Sequence, residues 1–233
     1  MKSFWSFIGN ERYDIGCTGG TVYLYDKQGA ELAKFKDLPY AYTSAISPKG
    51  DIFVVKTTEG RLAVYSFDPP ALIKKFRFSK IDGAQDENFC FSADGSELYN
   101  IERHIDYCSS ALSVYDTSDF SLKHRIFDSN KAMVLNCIEN GEQNGEFYLL
   151  GFFRGKSRVA ETFFVGKLTG LELHDIIFLP EEEYDFFWHY IHLRMSGFTE
   201  KCYEWSYMDK GLDELKAADL RLSNLWDRFK KIN

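Results

Sequence analysis

The sequence predicts an all-β protein, a small β-propeller made of repeated four-stranded units, followed by one amphipathic α-helix. Aromatic residues make up 17% of the 233 residues, and aromatic side chains favour strands. Short apolar runs separated by tight turns recur along most of the chain. Near the end, apolar residues instead recur every three or four positions, which is typical of a helix.

The clearest unit covers residues 42–78. Its four predicted strands lie at 42–47, 51–57, 61–67 and 71–78. The turn Ser47-Pro48-Lys49-Gly50 joins the first two strands, and Glu59-Gly60 joins the next two. Polar turns that end in glycine are typical of strand–strand connections, so this unit predicts a four-stranded antiparallel sheet.

Three further units follow the same order. The predicted strands lie at 4–8, 12–18, 21–26 and 30–36 in the first unit; at 89–91, 97–103, 111–116 and 121–127 in the third; and from 133, then at 147–153, 161–167 and 171–179 in the fourth. The third strands end near residues 26, 66, 116 and 166, at intervals of 40 and 50 residues. A repeat of this length with four short strands predicts a β-propeller.

Two details of these units resemble known propeller repeats. The turns Ser47–Gly50 and Ser92–Gly95 share the pattern Ser-x-x-Gly, and two third strands end in Tyr25-Asp26 and Tyr115-Asp116. Over roughly residues 3–180, these features resemble the blades of WD-repeat or YVTN-type propellers. The resemblance implies a propeller fold and no particular activity.

The end of the chain leaves the number of blades open. An apolar and aromatic run at 184–195, a turn at 196–197 and a strand at 201–208 predict a fifth unit without its fourth strand. We favour five blades with the helix covering the incomplete one. The alternative is four blades, with a hairpin at 184–208 and the helix forming a cap. We therefore expect a propeller at 1–210 and a packed helix at 211–233.

The predicted C-terminal helix carries a single apolar stripe. The stripe contains Leu212, Leu215, Ala218, Leu222, Leu225, Phe229 and Ile232. It is shorter than the three to four heptads that indicate a coiled coil, so we expect the helix to pack on the propeller. The predicted state is therefore a monomer or a helix-mediated dimer.

The charge and composition exclude several partners and compartments. The net charge is −7, so the chain is not expected to bind nucleic acid. No apolar run approaches the length of a membrane span, and no signal peptide is evident, which predicts a cytoplasmic protein without a membrane partner. The five cysteines are scattered and form no Cys-x-x-Cys pair, so we expect free buried thiols and no metal or other cofactor. Cys108 is the candidate for an exposed, redox-active thiol.

Three local patterns partly resemble phosphate-binding or metal-binding sites, and each lacks the spacing or geometry that such a site needs. The segment 151–157 has glycines one residue too close for a phosphate-binding P-loop, and the following residues predict a strand. The acidic segment 81–88 lacks the alternating spacing of a calcium loop. His189 and His192 would point to opposite faces of a strand, so they are not expected to bind one metal.

One collective feature suggests a binding surface. In a propeller, the connections from a fourth strand to the next first strand lie on one face, and here they are rich in acidic and tyrosine residues. The predicted binding residues are Tyr40, Asp82, Asp86, Glu87, Asp128, Glu181, Glu182, Glu183, Tyr184 and Asp185. Acidic loops with aromatic anchors suit a basic protein partner.

These observations predict a non-enzymatic protein-binding module. Its small size and acidity would suit an inhibitor or an immunity-type protein that neutralises a basic toxin. The alternative is a propeller enzyme, a hydrolase or lyase, with its site at the central channel. His189, His192 and Asp86 are the candidate residues for that alternative; no catalytic motif is evident in the sequence.

Overall fold

The computed structural model describes residues 2–76, 88–104, 109–141, 143–155, 161–197, 201–202 and 212–230. In these ranges the chain forms sixteen strands and two helices. The strands are β1 (Ser6–Gly9), β2 (Tyr13–Cys17), β3 (Val22–Asp26), β4 (Glu31–Phe35), β5 (Ala41–Ile46), β6 (Ile52–Thr57), β7 (Leu62–Phe67), β8 (Pro70–Lys75), β9 (Phe89–Phe91), β10 (Glu97–Arg103), β11 (Ser110–Asp116), β12 (Leu122–Ile126), β13 (Met133–Asn140), β14 (Glu146–Arg154), β15 (Glu161–Thr169) and β16 (Glu172–Leu179). The helices are α1 (Glu181–Ser196) and α2 (Leu212–Lys230).

The strands form four four-stranded antiparallel sheets, each made of four consecutive strands. Sheet 1 contains β1–β4, sheet 2 β5–β8, sheet 3 β9–β12 and sheet 4 β13–β16. All four predicted units are therefore confirmed as sheets, with strand ends that differ from the predicted ones by a few residues.

The four sheets are built alike in two details. In each sheet the pairing of the third and fourth strands contains a register shift. The predicted turns at Ser47–Gly50 and Ser92–Gly95 also match: in both, the glycine N–H donates to the serine carbonyl, at 2.8 and 2.9 Å. Gly50 and Gly95 have φ values of 70° and 67°, a conformation that glycine adopts without steric cost.

The sheets pack face to face in chain order through separate apolar clusters. Sheets 1 and 2 enclose a cluster around Ile15 and Phe53. Sheets 2 and 3 enclose one around Val64 and Phe89, and sheets 3 and 4 one around Ile101 and Leu149. Alternating residues of each strand point to opposite faces, so one strand serves two clusters. The first strands β1, β5, β9 and β13 are also neighbours.

Helices cover the remaining face of sheet 4. Tyr184, Phe187 and Ile191 of α1 are buried with Leu222 and Leu225 of α2 against strands β13–β15. Helix α1 also contacts β1 and β5, so it reaches from the last sheet to the first two. Of the predicted stripe of the C-terminal helix, Ala218, Leu222 and Leu225 are buried against sheet 4; the other stripe side chains lie outside the described residues.

The predicted strand in the run 184–195 is wrong, because this run forms α1. The run is aromatic-rich, which suits a strand, but its buried residues have helical spacing: Tyr184, Phe187, Tyr190 and Ile191 lie on one face. The first strand of the predicted fifth unit, and of the alternative hairpin cap, is therefore absent from this run. Of the predicted strand 201–208, residues 203–208 lie outside the described residues.

The end of α1 meets the first strand of the chain. Gly197 ends the helix in the left-handed conformation, with φ 106°, and its N–H donates to the Arg194 carbonyl at 3.3 Å. A Cβ atom at this position would lie 2.0 Å from the Phe7 carbonyl oxygen. Nearby, Phe4 and Cys202 form a parallel bridge in which the Phe4 N–H donates to the Lys201 carbonyl at 2.8 Å.

This contact makes Gly197→Ala a sensitive substitution. A left-handed residue with a Cβ costs about 1–2 kcal/mol, and the clash with Phe7 adds to that cost. Gly29→Ala is the matched control, because Gly29 also has a positive φ, 84°, and a Cβ added there would meet no atom within 4 Å. In urea unfolding, Gly197→Ala should lose clearly more stability than Gly29→Ala. Equal losses would contradict the close packing of α1 against β1.

Candidate functional site

The predicted acidic face corresponds to the connections that lead from β4 to β5, from β12 to β13 and from β16 to α1. Asp82, Asp86 and Glu87 belong to the connection between β8 and β9 and lie outside the described residues. The other seven predicted residues are described. They fall into three environments, and only some of them form an exposed surface.

Tyr40 is an exposed aromatic side chain on a fixed backbone. It is 59% exposed and adopts a φ of 56° at the start of β5. Its carbonyl accepts a hydrogen bond from the Thr58 N–H at 3.0 Å. The next residue, Ala41, exchanges two backbone hydrogen bonds with Gly19, at 2.8 and 3.0 Å. Tyr40 is therefore presented to solvent by an ordered turn that joins sheets 1 and 2.

Asp128 is exposed, and its charge is already engaged. Arg125 Nε donates to its carboxylate at 3.1 Å, and His104 Nε2 lies 3.1 Å from the same oxygen. Burial opposes ionisation, but the hydrogen bond and charge of Arg125 lower the pKa of Asp128. Asp128 thus positions Arg125 and contributes less to an acidic field than the sequence suggested.

Arg125 connects this surface to a buried polar cluster between sheets 2 and 3. Glu102 is only 2% exposed and pairs with the Arg125 guanidinium. It also accepts a hydrogen bond from Tyr115 Oη at 2.9 Å. In the neighbouring sheet, the buried Lys56 donates from Nζ to the Ile101 carbonyl at 2.7 Å. These hydrogen bonds and the ion pair satisfy the charged groups in a region with little access to water.

Sequence reasoning missed this cluster, although a weak signal for it exists. Lys56 stands in a strand whose other residues are almost all buried, and Asn100 and Glu102 alternate with apolar residues in β10. A charged residue in such a strand indicates a buried partner. The partner Arg125 lies 23 residues from Glu102, and no spacing rule connects the two.

The acidic run Glu181-Glu182-Glu183 forms the first turn of α1 instead of a loop. Glu181 and Glu182 are exposed, and the N–H groups of Glu183 and Tyr184 donate to the Pro180 carbonyl at 3.1 and 3.0 Å. Carboxylates at a helix N-terminus interact favourably with the helix dipole. These residues therefore stabilise the helix and add negative charge at its surface.

Tyr184 does not belong to an exposed face. It is 4% exposed, and its ring centroid lies 4.6 Å from that of Phe163. Burial raises the pKa of its phenol. Tyr184 does not lie in the exposed loop that the sequence suggested, because helix formation turns its side chain towards sheet 4. The next residue, Asp185, is exposed on α1.

A cleft of about 360 Å³ lies where β9, β13 and the end of α1 meet. Its lining residues are Asn88, Phe89, Cys90, Ile138, Glu139, Asn140, Arg194 and Met195. The Asn88 amide donates to the Ile138 carbonyl at 3.0 Å and to Met195 Sδ at 3.0 Å, which joins the three elements.

The charged pair of this cleft is Glu139 and Arg194. Burial raises the pKa of Glu139, an effect that the charge of Arg194 opposes. Arg194 also lies 3.9 Å from Asp219, which accepts a hydrogen bond from Tyr190 Oη at 2.9 Å. The pair therefore ties α1 and α2 to β13. The other candidate reactive group, Cys90, has a pKa raised by burial, so it remains a neutral thiol.

Of the three residues proposed for an enzyme, only the His189 side chain is described. His189 is exposed on α1, with its ring 4.5 Å from that of Trp188. The His192 side chain and Asp86 lie outside the described residues. Across those residues that are described, no three His, Cys, Asp or Glu side chains are grouped in a way that could hold a metal ion.

The described cysteines Cys17, Cys90, Cys137 and Cys202 are free thiols, as predicted, and Cys108 lies outside the described residues. Burial raises the pKa of Cys17 to about 12. Among the described residues, no helix is both long and apolar enough to cross a bilayer.

Comparison with known proteins adds no family assignment. No protein-family model matches the chain, and no curated protein is significantly similar to it.

The Glu139–Arg194 pair generates a testable pH dependence. Arg194→Ala should lower stability at neutral pH by about 1–3 kcal/mol, less than for a fully buried pair because 36% of the Arg194 side chain is exposed. With its pKa raised above 4.5, Glu139 binds its proton more tightly when folded, so stability falls as pH rises through that pKa. This decrease in folding stability with rising pH should be steeper in Arg194→Ala than in the wild type.

The matched control is the double variant Arg194→Ala/Glu139→Gln, in which no carboxylate is left without its partner. Urea unfolding across the acidic and neutral range should show that this variant recovers stability and loses the added pH dependence. If both variants are equally stable at neutral pH, the two side chains do not interact in the folded protein.

Proposed function

We propose that the four sheets are the blades of a small β-propeller and that α1 and α2 occupy the place of a fifth blade. Three observations support this arrangement. The sheets pack in chain order through successive apolar clusters, and their first strands are neighbours. Helix α1 packs on sheet 4 and also contacts β1 and β5. The proposed propeller thus has four blades plus two helices, in place of the five blades that the sequence favoured.

We further propose that the protein is a non-enzymatic binding module for a basic protein. The observation that carries this proposal is Tyr40, an aromatic side chain that is 59% exposed on a turn fixed by backbone hydrogen bonds. Tyrosine supplies a large contact area and loses little conformational freedom on binding, which makes it a frequent interface anchor. A fixed backbone lowers that loss further.

The charge of the surrounding connections suits a basic partner. In the proposed ring, the turn at Tyr40 and the start of α1 lie at the same end of the blades. Glu181, Glu182 and Asp185 are exposed there, and within the described residues their side chains are not held in ion pairs. The net charge of −7 adds a long-range attraction for a cationic protein, which raises the association rate. An inhibitor or immunity-type protein is one role that fits this chemistry.

Two variants test the proposed surface on a partner captured from the native cell and identified by mass spectrometry. Tyr40→Ala should weaken binding by about tenfold or more, as expected for an aromatic anchor. Glu181→Gln/Glu182→Gln should mainly slow association and reduce its salt dependence, because the lost charges act at a distance. Surface plasmon resonance at two salt concentrations measures both effects.

The matched control removes two charges at the other end of the sheets. Asp51 lies in the connection that follows β5, and Glu11 lies in the equivalent connection after β1; both are exposed. Glu11→Gln/Asp51→Asn should change association less than Glu181→Gln/Glu182→Gln does. Unchanged affinity in Tyr40→Ala, or equal effects of the two charge variants, would rule out this face as the binding surface.

A further inference from the structure

Within the described residues, each sheet ends in an outer strand with an unpaired edge, and three of these edges carry cationic residues. The outer strands are β4, β8, β12 and β16. Lys34 stands in β4, Lys74 and Lys75 in β8, and Lys123 and Arg125 in β12. Lysine and arginine on an edge strand prevent another strand from pairing with it.

The fourth edge, β16, has no such protection. Its sequence, Glu-Leu-His-Asp-Ile-Ile-Phe-Leu, contains neither lysine nor arginine. With eight residues it is also the longest of the four outer strands. Two large apolar side chains are exposed on it, Ile176 at 38% and Phe178 at 60%. They are two residues apart, on either side of Ile177, and therefore lie on the same face.

We propose that β16 pairs with β16 of a second copy of this chain. The strand is in register with β15 from Ile177 to Leu179, and Asp175 and Ile176 form the register shift opposite Gly166. A two-fold axis at Ile177 would place Ile176 of each copy opposite Phe178 of the other. Such cross-strand pairs of an aromatic and a β-branched residue stabilise antiparallel pairing.

The segment Ile176–Leu179 also lacks the charges that would oppose a symmetric dimer. It contains no charged residue, so neither copy places a carboxylate opposite a carboxylate there. Asp175, with a φ of 50°, lies in the register shift and outside the proposed pairing. The segment is thus compatible with itself in charge, as a two-fold interface requires. A basic partner segment would find no carboxylate in it.

This interface differs from the helix-mediated dimer that the sequence suggested. Ala218, Leu222 and Leu225 of the α2 stripe are buried against sheet 4 in the single chain, so they are not free to join two copies. The proposed pairing does not use Tyr40, Glu181 or Glu182. The dimer therefore goes beyond the proposed binding function and does not depend on it.

Sedimentation equilibrium on the full chain, from low to high micromolar concentration, tests this proposal. The wild-type mass should rise from 27.0 kDa towards twice that value. Phe178→Lys should remain at 27.0 kDa, because it places a charge in the pairing. Leu122→Lys is the matched control, since Leu122 is 51% exposed on the outer strand β12, and it should associate like the wild type.

Hydrogen exchange provides a readout that needs no variant. Exchange of the Ile176–Leu179 amides in the wild type should slow as protein concentration rises, while exchange in β12 stays constant. A wild-type mass of 27.0 kDa at every concentration would overturn the proposal. So would undiminished association of Phe178→Lys, or exchange in β16 that is independent of concentration.

Discussion

The structure depends on one constraint: sheets 2, 3 and 4 bury apolar side chains on both faces, so each of them must be covered on two sides. Four sheets packed in a row cover one another at three interfaces and leave two outer faces. Helices α1 and α2 cover the outer face of sheet 4. The end of α1, through Gly197, and the bridge from Cys202 to Phe4 meet sheet 1. The C-terminal part of the chain thus covers the outer face of sheet 4 and contacts the first strand of sheet 1.

Because the sheet faces are buried in the core, only some parts of the structure remain available for binding. The faces of the sheets are used in packing, and the charged groups between sheets 2 and 3, including Lys56 and Glu102, find their partners in the interior. Exposed side chains that could contact a partner lie at the connections between strands and at the outer edges of the sheets. Tyr40 represents the first kind of surface, and the edge of β16 represents the second. The cleft at Glu139 is different, because its charged pair holds the helices in place.

The repeat could be predicted because strand periodicity and turn chemistry are local. A turn such as Ser47–Gly50 is recognisable from four residues, and all sixteen strands were found from such signals. Helix α1 was not predicted because its aromatic composition favours strands. Its helical form instead follows from the apolar face that it buries against sheet 4. That error also misplaced Tyr184 and Glu181. The link between Arg125 and Glu102 could not be predicted, since it arises only when the sheet folds.

A disulfide that uses a native thiol tests most directly whether the C-terminal part of the chain meets the first sheet. Phe4 and Cys202 form a parallel bridge, so Phe4→Cys would place two thiols within reach of a disulfide. Oxidation of the folded variant should give an intramolecular disulfide between positions 4 and 202, identified by peptide mapping, and none in Phe4→Cys/Cys202→Ser. If both thiols stay free, or if the new thiol pairs elsewhere, the C-terminal part of the chain does not meet the first sheet in this way.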